Sequence, residues 1–343
     1  MRTFILAVSV TAAQAYTQSL ADCKAFADKW TGITGSCAND TAFPDGASNW
    51  GSAATITCAA DATQGTNRCP NTGTASASCG VDRKLCVSCR DDGGTVKIRY
   101  QSNGMPTICY QTTNIPNYPT DQKIDFEVTW NADMTGVMNY AAADVDDYEE
   151  THDLLCSITR TADSHMHSSA QFDKIGQTST DTMAGFAFDA VSIFNGLALA
   201  DKGAVETEGD TMDMCLTHSS PQGQLHYHSL GNCMHSTSPW KSTTQSPGVV
   251  TASALGSDPS PAEILTYATK PWVDANDTGS YGGAVGLARD GHVIYGPYNK
   301  DGELWDCDDH DICNGFFLDD GSYGYAATNH FPYIVGCWGP GPQ

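Results

Sequence analysis

The sequence predicts a mainly β protein, sandwich-like or irregular, with an internal pseudo-duplication and a small disulfide-rich domain ahead of it. Three observations carry that reading. Fourteen cysteines sit in a chain of 343 residues, eight before residue 110 and six after it. From Thr95 onward, short alternating segments are separated by Gly, Pro and Asn turns, with little sustained helical periodicity. Two stretches in the C-terminal half also repeat one another in order, residue type and spacing.

The N-terminus sets the compartment. Met1-Arg2, then Phe4-Ile5-Leu6-Ala7-Val8, close on Ala13-Gln14-Ala15. That is the pattern of a secretory signal peptide over residues 1–15, with cleavage expected after Ala15. Its apolar run is too short to cross a bilayer, which takes about 20 residues. No later segment suggests a membrane span or a lipid anchor. A secreted, extracellular or cell-surface location follows, and there an even set of cysteines is used in disulfides. Cys86 and Cys89 form a CxxC, but no second pair stands at zinc-finger spacing, so disulfide use is expected there too.

Residues 16–92 form the expected cysteine-rich domain. Leu20 to Trp30 has helical spacing, and loops are expected after it, because stretches such as Asn71 to Ser78 cannot supply a core and cross-links must substitute for burial. The β domain is expected over residues 95–340. Val96 to Tyr100 alternates, Asn103-Gly-Met-Pro106 reads as a turn, and Ile124, Phe126, Val128 and Trp130 share one strand face.

Charge narrows the partners. Forty acidic against 17 basic residues give a net charge of −23, which repels polyphosphates and excludes nucleic acid. Divalent cations and basic partners remain. Sequons at Asn39-Asp-Thr41 and Asn276-Asp-Thr278 predict attached glycans.

The repeat is the most informative feature. Gly185-Phe-Ala-Phe-Asp-Ala-Val-Ser-Ile-Phe194 aligns with Gly286-Leu-Ala-Arg-Asp-Gly-His-Val-Ile-Tyr295 at an offset of 101. Asp213-Met-Cys215 aligns with Asp311-Ile-Cys313, and Tyr227 with Tyr325, at an offset of 98. The copies run over about 184–233 and 285–337, closing on Cys233 and Cys337. Units this small cannot bury a core alone, so the two copies are expected to pack about a pseudo-twofold. Equivalent disulfides Cys215–Cys233 and Cys313–Cys337 follow, which leaves Cys156 and Cys307 to pair. Asp189 and Asp290 hold matched positions beside tight turns, where stabilising the turn is their expected role.

Gly286-Leu-Ala-Arg-Asp-Gly-His-Val-Ile-Tyr-Gly-Pro297, Asp311-Ile-Cys-Asn-Gly315, Tyr323-Gly-Tyr-Ala-Ala-Thr328 and Phe331-Pro-Tyr-Ile-Val-Gly-Cys337 resemble the YHYH domain family. The likeness covers residues 95–340. The eponymous motif is degenerate: the second copy reads YGYA, and the first reads Leu225-His-Tyr-His228. The resemblance implies a fold and carries no established activity.

His226 and His228 alternate on a strand, so both imidazoles leave one face, and a turn can return His218 beside them. Three converging imidazoles in an oxidising compartment suit copper or zinc. The second copy has Phe316, Gly324 and Ala326 at these positions, so at most one such site exists. His165-Met-His167 is a further HxH that could join the cluster or bind copper separately, with an exposed loop free of any ligand role as the competing reading. His292 and His310 sit in acidic, turn-rich contexts, where solvated loops are expected, or calcium on the carboxylates of Asp306 to Asp311. No GxSxG, HExxH or phosphate-loop motif occurs. The expectation is a secreted, glycosylated structural protein of an extracellular surface, matrix or filament, self-assembling or bound to other extracellular proteins, with a metal ion as an optional component. The alternative is a secreted metal-dependent enzyme or a copper/zinc scavenger.

Overall fold

A computed structural model describes residues 18–30, 53–62, 65–112, 117–137, 183–198, 202–249 and 260–341. The expected signal peptide, Asn39, Cys156, His165 and His167 lie outside these residues. The chain is mainly β, as expected, and two sheets stacked face to face make it sandwich-like.

The first sheet has four antiparallel strands in sequence order: β1 (Ala53–Ala59), β2 (Ser78–Asp92), β3 (Thr95–Ser102) and β4 (Ile124–Thr129). The loops expected in the cysteine-rich segment are therefore partly wrong. β2 buries Cys79, Val81, Arg83 and Leu85 in strict alternation. Cysteine and arginine in the inward positions hide that period from a reading keyed to aliphatic residues. The expected boundary between 92 and 95 is also corrected. Asp92 pairs with Thr95 across a Gly93-Gly94 hairpin turn with both φ positive, the backbone that a two-residue hairpin loop requires. One sheet runs through the boundary, and Cys58–Cys109 crosses it as well.

α1 (Leu20–Ala27) forms where the helical spacing predicts it, N-capped by the Ser19 side chain. Cys23–Cys89 ties it to β2, and Phe26 and Trp30 wedge it against Trp130 and Tyr100. The Trp30 indole donates to the Ala187 carbonyl at 3.0 Å, which fastens this helix to the second sheet.

That second sheet has eight strands: β5 (Met183–Ala187), β6 (Ser192–Phe194), β7 (His218–Ser219), β8 (Leu225–Tyr227), β9 (Ala284–Ala288), β10 (Val293–Tyr295), β11 (Gly315–Phe317) and β12 (Tyr323–Ala326). Their order is β7-β8-β6-β5-β9-β10-β12-β11. It reads alike in both directions outward from the central β5–β9 pair, and the registers match. His226 pairs with Ser192 and His218, as Gly324 pairs with Val293 and Phe316. At the centre, Gly185 and Gly286 are required by close approach. A Cβ on either would stand 2.4 or 2.3 Å from a carbonyl oxygen of the facing strand.

Cross-strand partners share a sheet face. One row therefore runs His218–His226–Ser192–Phe186–Leu287–Val293–Gly324–Phe316 from edge to edge. Its middle packs on the first sheet, with Phe186 stacked on Tyr100 at 4.0 Å. The opposite face, carrying Ile193, Tyr227, Ile294 and Tyr325, is covered by the helix Pro261–Ala275 and by Phe331 to Val335.

Two helices precede and complete that layer: α2 (Ala204–Glu208) and α3 (Pro261–Ala275). The sequence reading missed α3, although its start is well marked. Ser260 and Glu263 form a capping box, Pro261 opens the first turn, and Ile264, Leu265, Ala268 and Trp272 make one buried stripe. Pro271 cannot donate to the Tyr267 carbonyl, and the Asn232 side chain donates there instead at 3.0 Å.

Disulfides Cys215–Cys233 and Cys313–Cys337 form at matched positions, and Cys69–Cys79 closes a short ribbon. Cys86 and Cys307 are disulfide-bonded too. The expected Cys156–Cys307 pairing rests on Cys156, outside the described residues. No helix among the described residues is long and apolar enough to cross a membrane.

Candidate metal centre

His218, His226 and His228 meet at the β7 edge of the eight-stranded sheet. The antiparallel turn sets His218 directly opposite His226, and alternation puts His228 on the same face. All three are buried, and their donor nitrogens lie within 4.8 Å of one another. Leu225 and Tyr227, at the intervening positions, point into the core on the far side.

The partners of the outer ring nitrogens decide what the inner ones can do. His226 Nδ1 lies 2.9 Å from the Gln224 carbonyl, and His228 Nδ1 lies 2.7 Å from that of Asn195. A carbonyl only accepts, so both Nδ1 atoms carry the proton and both Nε2 atoms present lone pairs. His218 Nδ1 faces Thr211 Oγ1 at 3.1 Å, and that hydroxyl spends its own proton on the Glu208 carbonyl. His218 Nδ1 is then the donor, and its buried Nε2 has no hydrogen-bond partner.

Three unprotonated Nε2 atoms thus converge, and those of His226 and His228 are only 2.9 Å apart. Two lone pairs at that distance repel unless a cation or proton lies between them. Protonation is opposed by burial, which holds His218 and His226 well below the ordinary imidazole range and brings His228 down to about 4. Neighbouring imidazoles add to the effect on the first two.

A fourth donor comes from α2. The Glu208 carboxylate stands 3.4 Å from His218 Nε2 and 3.5 Å from His228 Nε2. Ligands about 2.0–2.1 Å from a tetrahedral ion lie about 3.4 Å from one another, so Glu208 stands at ligand spacing from His218 and His228, while the compact donor group is the three imidazoles. Phe194 stacks on the His226 ring at 4.0 Å and walls the site. Nδ1 donation to fixed acceptors is the usual way metal-binding imidazoles are oriented. The described residues can hold a metal ion here.

Known proteins add nothing to this geometry. No family model matches the chain, and no curated protein or solved structure is significantly similar to it.

The other candidates fall elsewhere. His292 and His310 are buried, which corrects the solvated loops expected for them. His292 lies within the β9–β10 hairpin, with Nε2 against the Ala132 carbonyl at 3.2 Å. His310 stacks on His330, with Nε2 atoms 2.8 Å apart. Asp306 and Asp309 cap the short turn at Cys307–Asp309.

Asp189 and Asp290 brace their turns as expected, each accepting a backbone amide and a tyrosine hydroxyl, from Tyr227 at 2.7 Å and Tyr325 at 2.6 Å. Asn276, the sequon residue in described chain, is exposed at the left-handed C-cap of α3. Sequence reasoning missed Glu208, Thr211 and Phe194. Glu208 sits among Glu206, Asp210 and Asp213, where it reads as one more solvated acid, and only its spacing ten residues before His218 hinted otherwise.

Proposed function

We propose that this chain is an extracellular, disulfide-linked protein that binds one transition-metal ion, Zn²⁺ or Cu²⁺, through His218, His226, His228 and Glu208. The single observation carrying this reading is the convergence of three buried Nε2 lone pairs whose outer nitrogens are all committed as donors. The ion is structural in this reading, held by three buried imidazoles, with the partly exposed Glu208 carboxylate beside His218 and His228. Bound metal would pin α2 to the β7–β8 edge, stiffening one end of the sheet. This agrees with the structural role expected from composition, and the pattern over residues 1–15 supports secretion.

Elemental analysis of protein secreted and purified without chelators tests the reading. One zinc or copper per chain is expected, and chelated protein should take up one equivalent in titration. Protein that neither carries nor takes up either metal overturns it.

A further inference from the structure

The two copies of the repeat are joined to the first sheet in different ways. In copy one the turn after β5 presents the Asp189 carbonyl, which accepts from the Thr107 amide at 2.7 Å and its hydroxyl at 3.1 Å. In copy two the turn between β9 and β10 meets the segment leaving β4. The Asn131 amide donates to the Gly291 carbonyl at 2.9 Å. A Cβ at Gly291 would stand 2.1 Å from the Thr129 carbonyl oxygen, so this approach needs glycine.

His292 adds a further tie in copy two, where the repeat places Val191 at the matching position in copy one. The ring is buried. Its Nε2 lies 3.2 Å from the Ala132 carbonyl oxygen, and its Nδ1 lies 3.1 Å from Asp290 Oδ2. The second contact is an ion pair and not an aligned hydrogen bond. Carbonyl and carboxylate oxygens only accept, so each ring nitrogen carries a proton to face them. A neutral ring, in either tautomer, would turn a lone pair on an oxygen. His292 is therefore an imidazolium, unlike the neutral set at His218, His226 and His228.

Asp290 is the charge that His292 answers. On the same turn, Arg289 is exposed and reaches over the Phe126 ring. From β12, Tyr323 and Tyr325 face the imidazole at 5.4 and 6.3 Å, and their hydroxyls donate to Asp311 and Asp290. Burial raises both phenols well above the ordinary tyrosine range, so they stay neutral. On β4, Asp125 and Glu127 are engaged by Arg99 and Arg90. Beyond it, Asp133 turns its carboxylate to the Thr135 amide at 2.9 Å. Burial opposes the charge on His292, but Asp290 and the Ala132 carbonyl outweigh it and hold the ring above the ordinary imidazole range.

We infer that His292 is a proton-dependent clasp between the two sheets, freeing residues 131–135 from the second copy when the ring loses a proton. The Nε2 proton is the one lost, because Nδ1 faces a full negative charge and Nε2 only a carbonyl. The clasp is complete below the unfolded value near 6.5 and is lost as pH rises through the raised folded value. The copy-one junction is made by Thr107 and a main-chain carbonyl, so it stays closed.

Nitrogen NMR and amide exchange on the intact protein, from about pH 6 to about pH 9, test the inference. Both His292 nitrogens should be protonated at the low end, with a midpoint above that of a free histidine. Protection of the Asn131 amide, corrected for the intrinsic rise of exchange with pH, should fall at least about tenfold over this range. Thr107 protection should hold. In His292→Gln, Asn131 protection should no longer depend on pH, and the wild-type readouts decide the matter if that variant is unstable. A ring carrying a single proton at the low end, equal losses at Asn131 and Thr107, or an unchanged pH dependence in His292→Gln overturns the clasp.

Discussion

At one edge of the eight-stranded sheet the cross-strand row ends in His226 and His218, and at the other in Gly324 and Phe316. The backbone around the two ends is almost superposable in its constraints. Asp213 accepts from the Cys215 and Thr217 amides, and Asp311 from those of Cys313 and Gly315. Burial pushes both carboxyls up to about 7. Leu216 and Asn314 share a left-handed φ, at 66° and 63°, and each end carries its own disulfide. Yet one end gathers imidazoles and the other aromatic rings. Turns, buried carboxylates and cystines fix the scaffold through main-chain hydrogen bonds, and the outward row is free to carry unrelated chemistry.

The sharpest way to break this contrast is to remove one ligand. His226→Ala should abolish stoichiometric metal binding, a loss of at least about 100-fold, because the remaining donors no longer enclose an ion. Tyr325→Phe, on the opposite face at the aromatic end, should leave metal content unchanged. Competition against a chromophoric chelator reads both, and a metal-replete His226→Ala protein would sink the site.

The imidazole end should also show in the acid stability of metal-free protein. His228 titrates near 4 when folded and near 6.5 when unfolded. The unfolded chain therefore binds more protons between those values. Its contribution is fully present above pH 6.5 and lost as pH falls through 4, about 3 kcal/mol in all. Melting curves in chelator from pH 7 to 4 should fall more steeply for wild type than for His228→Gln. Parallel curves would mean that these rings are not held neutral by burial.

A third experiment asks whether the aromatic end can be converted. In Phe316→His/Gly324→His/Ala326→His, no second metal should bind, because a Cβ at Gly324 meets the Tyr295 ring at 2.7 Å and the Val293 carbonyl at 3.0 Å. Overpacking of this kind typically costs about 1–3 kcal/mol, so the melting temperature should drop as well. Two ions per chain would show that the scaffold tolerates either chemistry at either end.

The smallest effect is expected at the acid. Glu208→Gln keeps the shape and removes the charge, so affinity should fall about tenfold while one equivalent still binds. Unchanged affinity would leave a three-imidazole site with Glu208 outside it.

Periodicities were readable in the order of residues alone. Alternation in Ile124 to Trp130 and in Leu225 to His228 assigned faces correctly, because a strand repeats every two residues whatever it packs on. Matched cysteines also pointed to both C-terminal bridges. The long strand Ser78–Asp92 and helix α3 were legible in hindsight, the first through alternation carried by cysteine and arginine, the second through its capping box. The remainder depends on how distant segments meet in space. Whether Cys58 joins Cys109 across the hairpin depends on which strands pair. The tautomers of His226 and His228 depend on carbonyl oxygens aimed at them, one of them 33 residues away at Asn195. Glu208 becomes a donor because α2 turns it toward the sheet edge. Hydrogen-bond direction and ligand geometry are set by where the backbone goes in space, and no local pattern of side chains encodes that.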